Sequence, residues 1–250
     1  MSEVNSITVK GTNYPIFSAN DWRNSFRGKN LGTSFTQAQQ TAIANGDFSD
    51  LWNGDYWTNG TYKFRIVDNT GVFYGTGDTR FYKNHLVIMP DENILSADGS
   101  STHYWKSTDD TTGGYAGSDY IATYRAQALK ILTDFFGADH IASHRELISN
   151  AISNGAASGW VWADCSCELP SEEQIFGTKI WGSSPYDVGI NYSQFRLFQL
   201  APRFIRNNSN YWLRNIVSSS WVACVYANGR AYYSVASNPW VGVRPFALLI

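Results

Sequence analysis

Apolar and polar positions along this chain repeat with two different periods, and the changes of period mark the elements. In "SFTQAQQTAIANG" the pattern is helical. Thr36 and Gln39 stand at capping-box spacing, and Gly46 occupies the place where a glycine stops a helix. The period then falls to two in "YKFRIVD", where Tyr62, Phe64 and Ile66 alternate as in a strand. "NHLVIMP" is a short apolar run of strand length ended by Pro90. From Asp91 to Ser118 the chain is polar and glycine-rich, which predicts a long loop that is functional or mobile. "SDYIATYRAQALKILTDFFG" predicts the best helix, with Ser118 as N-cap, a stripe of Tyr124, Ala128, Ile131 and Phe135, and Gly137 at its end. A second helix is expected in "DHIASHRELISNAISNG", burying Ile141, Ile148 and Ile152 and stopping near Gly155. "LPSEEQIFG" predicts a short helical turn with Ser171 and Gln174 as a capping box. The remainder reads mainly as strand.

The last strands carry the sharpest local signal. Asn228-Gly229 is a two-residue hairpin dipeptide, because both central positions of a type I′ turn need positive φ. Such a turn sets Ala227 against Arg230, Val225 against Tyr232 and Ala223 against Ser234. One face then carries Val222, Cys224, Tyr226, Ala231, Tyr233 and Val235, the expected core side. The other carries Trp221, Ala223, Val225, Arg230, Tyr232 and Ser234, a mixture suited to a contact surface.

Composition narrows the function. The 250 residues suffice for one large domain or two small ones, with an ordinary apolar share and a surplus of aromatics and glycine over charge. That balance favours sheets and loops over a helical bundle. Net charge is −2 with both signs interspersed, so no basic block points to nucleic acid and there is little steering toward charged partners. The polar start has no basic region followed by an apolar run, and no stretch approaches the ~18 apolar residues of a membrane span. The expectation is a protein made in a cytoplasm without a signal peptide and without membrane insertion. Cys165, Cys167 and Cys224 have no framework spacing and read as reduced thiols.

Three stretches together resemble the C-type-lectin-like fold, in the branch that holds formylglycine-generating enzymes and phage variable adhesins. "CELPSEEQIFG" resembles that branch's LPTEAEWE element, "YWLRNIVSSSW" its Arg-Gly-Gly-Ser-Trp strand, and "VGVRPF" its closing Gly-Phe-Arg strand. The likeness runs from about Tyr120 to Ile250. The N-terminal part, with "FRGKNLGTSFTQAQQTAIANGDFSDLWNGDYW", is similar to structural proteins of phages and prophages of Gram-positive bacteria. The resemblance implies a virion protein whose final strands and loops form an exposed ligand face. In some adhesins of this fold a diversity-generating retroelement varies those positions, and Asn, Tyr, Ser and Arg accumulate there. The physics needs no diversification, since Tyr and Trp supply contact area at low entropic cost while Ser and Asn adapt their hydrogen bonds.

Other chemistry weighs less. The oxidase branch uses a reactive cysteine pair in the C-terminal part of the fold. Here Cys224 stands alone there, so no enzyme is expected. His140 and His144 at i and i+4 on the expected helix could face zinc together with Cys165 and Cys167. The cysteine spacing is short and no general-base Glu follows His140, so a solvated helix face with one partly packed His is the better reading. "SNPW" lacks the carboxylates of a lectin calcium loop, and the acidic loops lack EF-hand alternation. No cofactor and no metal are expected. The resemblance implies that Arg244 packs beneath the sheet on backbone or carboxylate partners, and Arg214 is open between that role and a binding one. For Trp221, Tyr232 and Trp240, contact surface and core both remain open, the hairpin register favouring surface for the first two.

The expectation is therefore an α+β protein: an N-terminal attachment or oligomerisation segment, 1–57, then a C-type-lectin-like domain, 58–250, with two principal helices and a C-terminal antiparallel sheet. Its expected role is that of a virion-surface adhesin, binding a host-surface glycan or protein through Trp221, Asn228, Arg230, Tyr232, Ser234, Asn238 and Trp240. Other virion proteins and sister copies are the further expected partners. The alternative is a capsid-decoration or baseplate component that meets only virion proteins.

Overall fold

The computed structural model describes residues 6–9, 12–15, 23–183 and 193–250. Two short N-terminal strands, β1 (Ser6–Val9) and β2 (Thr12–Pro15), pair with each other. The first helix, α1 (Gln37–Asn45), starts at the Thr36–Gln39 capping box and ends at Gly46 in the left-handed region, φ 70°. There follow β3 (Tyr56–Thr58), β4 (Lys63–Asp68) and β5 (Leu86–Pro90), the strands read from alternation and from the apolar run. A wide π-type turn over Tyr120–Tyr124 leads into α2 (Arg125–Phe136), closed by Gly137. This wide turn shifts the phase of the helix. Ala128, Leu132 and Phe136 are fully inward, while Tyr124, Ile131 and Phe135 pack at the margin.

The second principal helix does not form. Residues 138–140 make one 3₁₀ turn, β6 (Ile141–Ala142) follows, and β7 (His144–Ser153) pairs with β8 (Ala156–Cys165) as a long antiparallel hairpin. Its turn is Asn154-Gly155, both in the left-handed region at φ 51° and 75°, the two-residue I′ geometry. The inward side chains at the start of β7 are His144, Glu146 and Ile148. Two of these three are polar, and a hydropathy reading does not see their alternation. The remaining elements are α3 (Glu172–Phe176), α4 (Arg196–Leu200), β9 (Tyr211–Ile216), β10 (Trp221–Val225), β11 (Ala231–Val235) and β12 (Ala247–Leu249). Ser171 and Gln174 form both bonds of the capping box that begins α3.

The architecture is α+β with antiparallel strand pairing. A five-stranded sheet runs β3-β4-β5-β12-β6, and a three-stranded sheet runs β11-β10-β9. Both sheets separate the same two apolar clusters. Phe64, Ile88, Leu249, Trp212 and Val222 face the cluster that α1 and α2 cover. Val67, Val87, Leu248, Leu213 and Ala223 face the cluster built with α4. A strand apolar on both faces has no alternation, which is why "LVIMP" and "WVACV" read as continuous runs. A large share of the driving force lies here, at roughly 25 cal/mol per Å² of apolar surface removed from water.

The boundary expected at 57/58 falls inside β3. Ile43, Phe48, Leu51 and Trp57 are buried in the same cluster as α2 and β12. The chain at 29–32 bonds along β3, with Leu31 N to Tyr56 O at 2.8 Å and Tyr56 N to Lys29 O at 3.0 Å. Residues 23–57 are thus a structural part of the domain. The long segment 91–118 is also tied down: Trp105 is fully buried, His103 N donates to Val241 O, and Thr111 N donates to Ser219 O. Among the described residues no helix is long and apolar enough to cross a membrane.

Candidate ligand-binding face

The β10–β11 hairpin does not use a two-residue turn. Tyr226 N donates to Arg230 O at 2.9 Å and Gly229 N to Tyr226 O at 2.7 Å, with Gly229 at φ 91°. This is a three-residue loop, Ala227-Asn228-Gly229, with glycine in the left-handed place. Asn228 Oδ1 accepts from Arg230 N, and Ala227 N is drawn out of the ladder onto Asn210 Oδ1 at 2.9 Å. The register therefore shifts by one: Val225 pairs with Ala231, Cys224 with Tyr232 and Ala223 with Tyr233.

A shift of one residue regroups the faces. Trp221 does not share a face with Arg230 and Tyr232. It lies with Ala223, Val225 and Tyr233, while Arg230 and Tyr232 lie with Val222, Cys224, Tyr226 and Ser234. Neither face of β10 is the open one, because Val222, Ala223, Cys224 and Val225 are all buried. The open surface is instead the edge formed by β11 and its neighbours. Trp221 is 39% and Tyr232 40% exposed, and Arg230 and Asn228 are exposed as well.

Two aromatic groups line this edge. On one side the Tyr233 ring meets Trp221 at 5.2 Å and Trp181 at 4.7 Å. On the other, the Arg230 guanidinium lies 4.8 Å from the Tyr226 ring centre and 5.1 Å from that of Tyr232. Tyr232 and Tyr233 stack with centroids 5.4 Å apart and join the groups into one band. Among the described residues no carboxylate forms an ion pair with Arg230, which is exposed and lies against these two rings. Trp181 is held from below. The buried Glu172 carboxylate accepts from the backbone N–H groups of Ile180, Trp181 and Gly182 at 2.9–3.0 Å. Burial raises the Glu172 pKa, and those three donors oppose the rise. Sequence reasoning missed Trp181 and assigned Tyr226 and Tyr233 to the core side. The signal for Trp181 lies in Glu172, one residue past the Ser171 cap and too buried for a surface helix.

Ser234, Asn238 and Trp240 belong to a second part of the face. Asn238 Nδ2 donates to Ser234 Oγ at 2.7 Å, and Asn238 Oδ1 accepts from Trp240 N at 2.9 Å. These two polar residues build the turn that lifts Trp240, which is 75% exposed. Trp240 borders a cleft of about 830 Å³ whose other walls are the loop 96–104 and the side of α2 carrying Gln127 and Lys130. Tyr104 faces the same cleft, and His103 forms part of its wall with its ring edge-on to Tyr124 at 4.4 Å. Burial holds the His103 pKa below its ordinary value, with Asp98 pulling the other way. Asp98 accepts from Ser96 Oγ and Ser100 N, which lowers its own pKa.

The remaining candidates are structural. His140 and His144 share no helical face. His140 Nδ1 lies 3.0 Å from Ile250 O, whereas His144 is buried between Phe73 and Phe246 with Nε2 3.4 Å from Glu146. Among the described residues no group of three His, Cys, Asp or Glu side chains is disposed to hold a metal. All three cysteines are buried free thiols, and burial pushes Cys167 and Cys224 up to about 12. Arg214 is buried, with Nη1 3.0 Å from Glu146 Oε2. Arg244 is 1% exposed and donates to Pro90 O at 2.7 Å and Phe204 O at 3.0 Å, so both arginines brace the interior. Compared with protein-family models, curated proteins and solved structures, the chain matches none.

Proposed function

We propose that this chain is a virion-surface adhesin whose C-terminal part is a C-type-lectin-like module, binding a host-surface ligand non-covalently. The observation that carries the reading is the band of exposed Trp221, Tyr226, Arg230 and Tyr232, joined through the partly buried Tyr233, along a strand edge that is unpaired among the described residues. Exposed aromatics gathered with an arginine on a rigid support are the composition of binding hot spots. Support also comes from the packing of the "LPSEE" helix on β9, where Glu172 N donates to Asn215 Oδ1 at 2.8 Å. Single sites of this size bind weakly, and several copies on a particle would supply avidity. Attachment to the particle then falls to the N-terminal segment, of which residues 23–57 already pack on the domain.

Fluorescently labelled protein applied to a panel of Gram-positive cells tests this. Saturable labelling of at least one strain, reduced tenfold or more in the double variant R230A/Y232A, is the expected result. A second reading, a capsid-decoration or baseplate component, is favoured by the open edge of β11, which suits strand pairing with another virion protein. Protein that coats particles and labels no cell would establish it over the first.

A further inference from the structure

Trp240 is the most exposed tryptophan of the described chain, yet it is not loosely held. Its backbone N–H is fixed by Asn238 Oδ1, and Pro239 restricts the residue before it. Tyr104, which lines the same cleft, is 39% exposed. It is clamped on both sides, since His103 N donates to Val241 O at 2.7 Å and Trp105 N to Ala236 O at 3.1 Å. Two broad apolar rings are thus presented to water from an anchored backbone. Pre-set platforms of this kind reduce the ordering cost of binding.

The rest of the lining mixes apolar and polar groups and has little net charge. Ser96, Ser100, Thr102, Thr123 and Gln127 contribute hydroxyl and amide groups. Lys130 is occupied by Asp134 at 2.7 Å. Asp98 carries the uncompensated charge and is kept ionised by Ser96 and Ser100. The volume, about 830 Å³, falls within the ~300–1,000 Å³ range of small-molecule sites.

We propose that the cleft between Trp240, Tyr104 and α2 binds a neutral saccharide of a host-surface glycan. The flat C–H face of a pyranose fits against an indole or phenol ring, and its hydroxyls both donate and accept, matching a wall of mixed hydroxyl, amide and carboxylate groups. The lone Asp98 charge accepts from sugar hydroxyls and repels a sugar carboxylate or sulfate, which sets neutral units above acidic ones. The assignment rests on the reading of the C-terminal face as a host-ligand surface and names the part that takes sugar.

The test is saturation-transfer NMR on the full chain with four probes: tetrasaccharides of β-1,4-glucose, β-1,4-N-acetylglucosamine and β-1,4-galactose, and a glucuronate-containing tetrasaccharide. At least one neutral probe should receive saturation on its ring protons. W240A should weaken that probe at least tenfold, and Y82A, which removes an exposed aromatic elsewhere, should leave it unchanged. Since Trp240 is mostly exposed, W240A is expected to keep the wild-type circular dichroism and melting temperature. No transfer to any neutral probe, a preference for the glucuronate probe, or equal binding by W240A would each overturn the assignment. Cell labelling run in parallel separates the two claims. Labelled cells without saccharide binding sink the cleft and leave the adhesin, whereas saccharide binding without labelled cells does the reverse.

Discussion

Replacing Arg214 by Met tests how the β9–β11 sheet is fixed to the rest of the domain. Arg214 lies on β9 and Glu146 on β7, and the two are buried with 3.0 Å between Nη1 and Oε2. The pair ties the three-stranded sheet to the long hairpin. R214M removes the cation and leaves a carboxylate in an apolar interior, a perturbation that costs about 3–5 kcal/mol. For a chain of this size each kcal/mol shifts the melting temperature by ~2–4 °C, so a fall of roughly 6–20 °C is expected. Replacing both partners, R214M with E146L, removes the stranded charge and should recover most of the loss.

The pH dependence has a definite sign. Burial opposes ionisation of Glu146, but Arg214 and His144 outweigh it and hold the pKa below the ordinary value. A depressed folded-state pKa gives stability that is present above the ordinary carboxylate range and lost as pH falls through the folded value. Without Arg214, burial dominates and the same group favours the protonated form. The gap between wild type and R214M should therefore be widest at pH 7 and narrow at pH 4, as read by urea unfolding with tryptophan fluorescence. A gap below about 1 kcal/mol at pH 7, or one that widens in acid, would refute the reasoning.

Other expectations are more local. Gly155→Ala should cost about 1 kcal/mol in urea unfolding, because a Cβ there has room, 3.6 Å from the nearest atom, and only the left-handed backbone opposes it. Gly114→Ala should cost about 3 kcal/mol or more, since φ 60°, ψ −155° is open only to glycine and its Cβ would stand 2.7 Å from the Ser149 carbonyl. Iodoacetamide should leave the native protein unlabelled by intact mass and add three groups after unfolding, because every thiol is buried. W181A should weaken cell labelling about tenfold, as loss of a band member would, with the melting temperature unchanged.

Two Asn-Gly dipeptides show how far local chemistry can be read. Asn154-Gly155 looks like a helix stop beside the spacing of Ile141, Ile148 and Ile152, yet it forms the two-residue turn. Asn228-Gly229 looks like that turn, yet it forms a three-residue loop. What decides the second case is Asn210, distant in sequence, which takes the Ala227 N–H. In the first case the inward residues His144 and Glu146 are polar, Glu146 pairing with Arg214 and lying 3.4 Å from His144 Nε2, so the alternation carries no hydropathic mark. Capping boxes at Thr36 and Ser171 were legible because each is closed within four residues. At the C-terminal face, a surface preference for Trp221 and Tyr232 was legible only through the hairpin register, while Trp240 stood open between surface and core. Their grouping was not legible, since it depends on a register that a single backbone bond shifts.

The relation between β10 and β11 has a consequence for how this surface can change over generations. Every side chain of β10 after Trp221 is committed to one apolar cluster or the other, while those of β11 are only partly buried and Tyr232 is exposed. Mutations in β11 can therefore accumulate with little loss of folding stability. The outer strand can thus exchange its side chains while the support beneath it stays untouched.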